Sequence, residues 1–237
     1  MSDIHANLPA LEAVLADMAA FSPSFVYNLG DTVGYGPHPE ASIDWAREHA
    51  AVSLLGNHDA ACVGQLGLEW FNPWAREAVE WTAARLSADR RLWLEARPHT
   101  HLLEADGLRI LLAHGTPRHP VTEYISGDAA AQILREPDPG WDVCIVGHTH
   151  LMGIYTRRGY RPLFESAEVE LETPCIVNAG SVGQPRDGRP EAGYVLLDAR
   201  LRRLVVRRIP YPVERTQQAI LQAGLPPILA ERLAVGR

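Results

Sequence analysis

The chain has 237 residues, 46% of them hydrophobic, and a formal net charge of −7. That length suits one sizeable core, and the acidic balance argues against a nucleic-acid polymer as partner, which would need phosphate neutralisation. All 22 basic residues are arginine, which excludes Schiff-base and P-loop lysine chemistry and leaves arginine, histidine, backbone N–H groups or metal ions to hold an anion.

In chain order, "NLPALEAVLADMAA" (7–20) has apolar residues at helical spacing, with Asn7 as N-cap and Pro9 in the first turn. "SFVYNLG" (24–30) predicts a strand, 38–50 a helix opened by Pro39, and "AVSLL" (51–55) a second strand. A helical stretch covers about 73–95 and carries Trp74, Trp81 and Trp93. Residues 100–115 predict a hairpin around Asp106-Gly107. A helix over 128–136 precedes the buried strand "DVCIVGHTH" (142–150), and 152–164 predicts a hairpin turning near Arg158-Gly159. Strands at 173–183, 192–199 and 202–209 and short helices at 213–222 and 226–234 complete the chain. Strand–helix alternation followed by hairpins predicts a mixed α/β (α+β) fold in one domain over 1–237. Cys62, Cys144 and Cys175 form no CxxC pair, which fits reduced thiols in a cytoplasmic protein. No run resembles a signal peptide or approaches the ~20 apolar residues of a membrane span.

Residues able to bind metal gather where predicted strands end: Asp3-x-His5, Gly30-Asp31, Asn57-His58-Asp59, His114-Gly115 and His148-Thr149-His150. In mixed α/β sheets the strand ends line the functional crevice. Residues two apart on an extended segment point the same way, so Asp3 and His5 would face one ion together, as would His148 and His150. Taken singly, a His-x-His is more often structural than metal-binding, a Gly-Asp after a strand is usually a turn, and Asn-His-Asp could cap the next helix. The mixed O/N set suits Mn, Fe, Zn, Ni or Co rather than calcium.

The ordered motifs D-x-H, G-D, G-N-H-D, H-G and G-H-x-H resemble those of the calcineurin-like metallophosphoesterases. "SDIHANLPALEAVL", "LGDTVGYGPHP", "AHGTPR" and "NAGSVGQPRDG" are similar to the small bacterial and archaeal phosphodiesterase branch. The resemblance implies a four-layer α/β/β/α sandwich with two mixed sheets and two divalent transition metals at its edge. It implies that Asp3, His5, Asp31 and His150 hold the first metal, and that Asp31, Asn57, His114 and His148 hold the second. A bridging hydroxide would attack a small phosphoester, phosphodiesters being preferred to monoesters. His58 would donate a hydrogen bond or proton, and Asp59 would orient His58. Two divalent ions less Asp3, Asp31 and one hydroxide leave a single positive charge for an anionic ester; an aspartate in place of Asn57 would cancel it. A non-catalytic scaffold on the same fold is the alternative, and a homo-oligomer is compatible with either.

Arg118 and Arg186 are the arginines best placed in sequence to bind substrate, and His119 and Tyr124 are further candidates to line the pocket. Relatives have further apolar residues before D-x-H, whereas only Met1 and Ser2 precede Asp3 here. A first strand shortened in this way predicts a fraying end at Asp3 and His5.

Overall fold

The computed structural model describes residues 1–237. Its helices are α1 (Leu8–Met18), α2 (Pro39–His49), α3 (Asn57–Cys62), α4 (Pro73–Ala83), α5 (Ala88–Glu95), α6 (Gly127–Leu134), α7 (Val213–Gln222) and α8 (Pro227–Glu231). The strands are β1 (Tyr27–Asn28), β2 (Val52–Ser53), β3 (Thr100–Ala105), β4 (Leu108–Ala113), β5 (Val143–Val146), β6 (Gly153–Thr156), β7 (Gly159–Pro162), β8 (Ala167–Glu170), β9 (Cys175–Asn178), β10 (Ala192–Asp198) and β11 (Arg203–Ile209). A mixed six-stranded sheet runs β3-β4-β5-β9-β6-β7, with β4, β5 and β9 parallel. A second, antiparallel sheet runs β10-β11-β8, and β1 pairs parallel with β2.

Period-two alternation builds the core. Val143 and Ile145 of β5 and Cys175 and Val177 of β9 face a cluster that also holds Leu204 and Val206 of β11. The intervening Cys144, Val146 and Ile176 face the opposite way, where Ala130, Ile133 and Leu134 of α6 cover them. Helix α1 buries Leu11, Val14 and Met18 against Ala192, Tyr194 and Ile209. Its start follows the sequence: Asn7 Oδ1 accepts from Ala10 N at 3.2 Å, and Pro9 lies in the first turn. The helical stretch at 73–95 is two helices, because the chain turns at 84–87 and restarts after Ser87. Strand β8 was not legible in the sequence: charged residues flank Val169, its only buried position.

The fraying end does not form. Leu29 N donates to Met1 O at 3.0 Å and Asp3 N to Gly30 O at 3.1 Å on one side; Val182 N donates to Ser2 O at 3.0 Å and Gly183 N to Asp3 O at 2.8 Å on the other. Lateral pairing fixes residues 1–3, and Ser2 and Asp3 are fully buried. These bonds join the β1–β2 pair to the segment leading into β10.

Candidate metal centre

Five loops bring the ligand-type residues together at the strand ends. Asp3, His5, Asp31, His114, His148 and His150 are all at most 3% exposed. Two groups of potential donor atoms form, each within 4.8 Å: Asp3, His5, Asp31 and His150, and Asp31, His114 and His148. Asp31 belongs to both. Its Oδ2 lies 3.6 Å from His5 Nε2 and 3.4 Å from His114 Nε2, while its Oδ1 accepts from His58 N at 2.8 Å. Asn57 Oδ1 lies 3.2 Å from His114 Nε2, which puts it beside the second group.

Each histidine is oriented by a backbone carbonyl on its outer edge. His5 Nδ1 donates to Val33 O at 3.0 Å, His114 Nδ1 to Leu29 O at 3.0 Å, His148 Nε2 to Thr122 O at 3.2 Å, and His150 Nδ1 to Gln184 O. A carbonyl only accepts, so these contacts assign the outer N–H and leave the inner nitrogen an unshared pair in the neutral ring. The inner nitrogens then converge: His5 Nε2 and His150 Nε2 are 3.2 Å apart, and His114 Nε2 and His148 Nδ1 are 3.1 Å apart. Asp3 Oδ1, buried and 3.1 Å from His150 Nε2, has no hydrogen-bond partner. Inward lone pairs, two carboxylates and an orphaned carboxylate oxygen are the donor set a divalent cation takes.

The extended geometry expected for His148 and His150 does not hold. Both have positive φ, 64° and 60°, as do Asp3 (55°), His5 (48°) and Asp31 (51°). The alternation of an extended strand is lost there, so His148 joins His114 while His150 joins Asp3 and His5. Left-handed backbone at such residues costs of order 1–3 kcal/mol each and persists where the surroundings over-determine it. Two glycines permit the close approach. A Cβ on Gly56 would collide with the Asp31 carboxylate, and one on Gly147 with Ser2 Oγ and Asp3 Oδ2.

Burial sets most of the electrostatics. It lowers His148 to about 3, helped by the charge of His114, and lowers His5 and His150 as well, so these rings are neutral. Burial also opposes charge on His114, but the carboxylate of Asp31 outweighs it and raises this ring to about 9. For Asp3, burial raises the pKa, yet the facing His150 and the charge of His114 lower it, and the carboxyl is held below its ordinary range.

His58 is 4% exposed and sits beside the first group, its ring centroid 4.9 Å from His5, 4.4 Å from Tyr35 and 4.9 Å from Phe71. Its Nδ1 has no partner. Asp59 does not orient it. Asp59 Oδ1 accepts from Val33 N at 3.0 Å, and Oδ2 accepts from Thr32 N and Gly56 N at 3.2 Å each. As the third residue of α3 it reaches back to the helix-start N–H and ties the 31–33 loop to the 56–59 loop. Burial, then the charge of Asp31, raise its pKa to about 7 against those three bonds.

Arg118 is exposed and donates to Glu136 at 2.7 Å, a pairing that lends no support to a substrate role; His119 is exposed too. Arg186 borders the site, with Nη2 donating to Gln184 Oε1 at 2.9 Å and to the Tyr35 hydroxyl at 3.2 Å. Tyr124 stacks on His148 with centroids 3.8 Å apart, beside the second donor group. Tyr35 and Phe71 were missed. Tyr35 lies inside the "GYGPHP" loop that directly follows Asp31, a proximity that could have marked it.

The family model for the calcineurin-like phosphoesterase superfamily domain matches residues 1–201. The chain belongs to this superfamily. It is 31% identical over 239 residues to an uncharacterized protein of Methanocaldococcus jannaschii, covering 100% of this chain and 97% of that protein. Its fold matches a metallophosphoesterase from Sphaerobacter thermophilus with a TM-score of 0.87 at 38% identity, over 100% of this chain and 97% of that one. A hypothetical protein from Pyrococcus horikoshii OT3 shares the fold, with a TM-score of 0.81 at 19% identity and coverage of 100% and 97%. The protein is thus a metallophosphoesterase-type hydrolase of a family that uses divalent metals, with mixed sheets and flanking helices as the resemblance implied. No helix is long and apolar enough to cross a membrane.

Proposed function

We propose that the chain acts as one domain over 1–237 and hydrolyses small phosphodiesters at a centre of two divalent transition metals. The convergence of four inward imidazole nitrogens on Asp3 and Asp31 carries this reading. Asp3, His5, Asp31 and His150 would hold one ion, and Asp31, Asn57, His114 and His148 the other, with Asp31 shared. Such a pair supplies activated water for in-line attack and neutralises charge on the phosphoryl oxygens. The manganese, iron, zinc, nickel and cobalt ions all suit this donor set. A cytoplasmic location is proposed on the three free, buried cysteines.

The protein groups divide the remaining work. Asp59 holds the Asp31 and Asn57 loops in register. Asn57 contributes a neutral oxygen, so the centre keeps surplus positive charge for an anionic ester. His58 is lowered to about 4, by burial first, although Asp31 opposes this. The ring is therefore neutral at pH 7 and offers an N–H to the ester's bridging oxygen. An approaching phosphoester anion would raise the ring's pKa, and a ring that thereby takes up a proton from solvent can pass it to the leaving alkoxide.

The test is a metal-reconstituted screen of mono- and diesters, with wild type and His58→Ala. Expected are metal-dependent turnover, a preference for diesters, and a loss on replacing His58 that is at least about tenfold larger for alkyl than for nitrophenyl esters. An equal loss on both would remove the donor role, and faster turnover of monoesters would overturn the preference.

A further inference from the structure

Strand β5 ends at Val146, just before the turn His148-Thr149-His150. β9 runs parallel beside it, with Asn178 abreast of Val146. Ala179 N donates to Val146 O at 2.8 Å, the last main-chain bond of that ladder. Gly180, at φ 73°, turns the chain out of the ladder, and its N–H goes to Asn178 Oδ1 at 2.9 Å. The Asn178 side chain takes over where the ladder stops. Its Nδ2 donates to Gly147 O at 2.7 Å and to Thr149 Oγ1 at 2.9 Å. A carbonyl only accepts and a main-chain N–H only donates, so these partners fix which end of the amide is which. Asn178 is fully buried, and its oxygen is committed to Gly180, so it is not itself a metal ligand.

What this amide holds is strained. Thr149 N donates to Gly147 O at 2.7 Å and closes a three-residue turn around His148, whose φ is 64°. A turn of this size with its central residue at positive φ is the rare, costly form. Thr149 Oγ1 accepts from Leu151 N at 3.1 Å and so spans His150, whose φ is 60°. The two N–H groups of one amide therefore grip the chain before His148 and between His148 and His150. The rings themselves are tied at their outer edges, to Thr122 O and Gln184 O. Asn178 acts on the backbone instead. Were this backbone to relax to the extended form, residues two apart would project the same way. His148 and His150 would then face one donor group together, and the other group would lack a histidine.

We infer that Asn178 is the positioning residue that divides His148 and His150 between the two donor groups, by bonding the backbone on either side of His148. This deepens the two-metal reading and rests on it. The strained turn is held in the metal-free protein, so the two histidines stand apart before any cation binds.

The test titrates the metal-free full chain with manganese by calorimetry, as wild type, Asn178→Ala and Thr149→Val. Wild type should bind two ions. Asn178→Ala should raise the Kd of one ion at least about tenfold and leave the other within about threefold. Thr149→Val removes the hydroxyl but keeps the bond from Asn178 to Gly147, so it should weaken the same ion by about threefold or more; it decides the matter if Asn178→Ala does not fold. Leu204→Ala, cut between the sheets, is the control for lost stability alone and should leave both Kd values unchanged. Equal weakening of both ions, or no weakening of either, would overturn the inference. Amide hydrogen exchange of the metal-free protein judges the turn without any cation. Relative to the β5 amides, those of Thr149 and Leu151 should exchange about tenfold or more faster in Asn178→Ala than in wild type; unchanged relative rates would overturn the inference as well. A wild type that binds fewer than two ions would instead strike the two-metal reading, and the exchange rates would still decide whether Asn178 holds the turn.

Discussion

Strand β5 and the residues that follow it belong to two differently built regions. Within the strand, Val143 and Ile145 face one apolar cluster and Cys144 and Val146 another. A few residues on, His148 and His150 sit in left-handed backbone and diverge towards different donor groups. The sheet core is held by apolar burial, which is non-directional and tolerates swaps that conserve volume. The metal centre is held by directional bonds: outer imidazole N–H groups to carbonyls, Asp59 to three backbone N–H groups, and Asp3 clamped on both sides. Its strained residues and the buried Asp59 carboxyl, pushed up to about 7, oppose folding. The core therefore supplies the stability that lets the centre exist, while the centre supplies the chemistry and little stability until a cation arrives.

Replacing Asp31 by Asn should break this division most sharply. Removing the shared charge should lower metal-dependent turnover by about a thousandfold or more, the scale of losing a central electrostatic stabiliser. The metal-free variant should melt only slightly below wild type: it loses the buried pairing of Asp31 with His114, but Asn Oδ1 can still accept from His58 N and a like charge beside Asp3 is gone. Added metal should raise the wild-type midpoint but not that of the variant. Thermal scans with and without metal check both outcomes, and a metal-free variant much less stable than wild type would refute the division.

Leu204→Ala makes the opposite cut. This fully buried β11 side chain lies between the sheets, and its loss should lower stability by about 2–5 kcal/mol. Denaturant unfolding should show that loss, with metal stoichiometry unchanged in the folded protein. Asn7→Ala probes the seam between the regions. Asn7 caps α1, donates to Gly183 O and accepts from Thr216 Oγ1. Its removal should lower stability by about 2 kcal/mol and weaken metal binding, because Gly183 pairs directly with Asp3; unchanged metal affinity would separate cap from centre.

The smallest effect lies at the ion pair of α1 and β11. Asp17 accepts from Arg207 Nε at 2.9 Å and also from Tyr194. The bond from Arg207 holds the Asp17 pKa below its ordinary value. A depressed folded-state pKa contributes stability above the unfolded value near 3.8, lost as pH falls through the folded value. Wild type should exceed Asp17→Asn by about 1 kcal/mol near neutral pH, with the gap closing below pH ~4. A gap independent of pH would assign the effect to packing.

The sequence by itself determined the fold class, most element positions and the identity of the clustered residues. Period-two and helical patterns, the Asp106-Gly107 and Arg158-Gly159 turns and the strand-end placement of Asp and His are local, so they are written in neighbouring residues. Three matters rest on tertiary structure, the first of them already implied by the family resemblance. His148 and His150 part company because positive φ replaces the alternation of a strand. Asp59 holds two loops together instead of His58 because N–H groups from residues 32 and 33 reach it first. Asn178 reaches the turn around His148 only because β9 pairs with β5. Each depends on contacts between residues far apart in sequence, which no local pattern records.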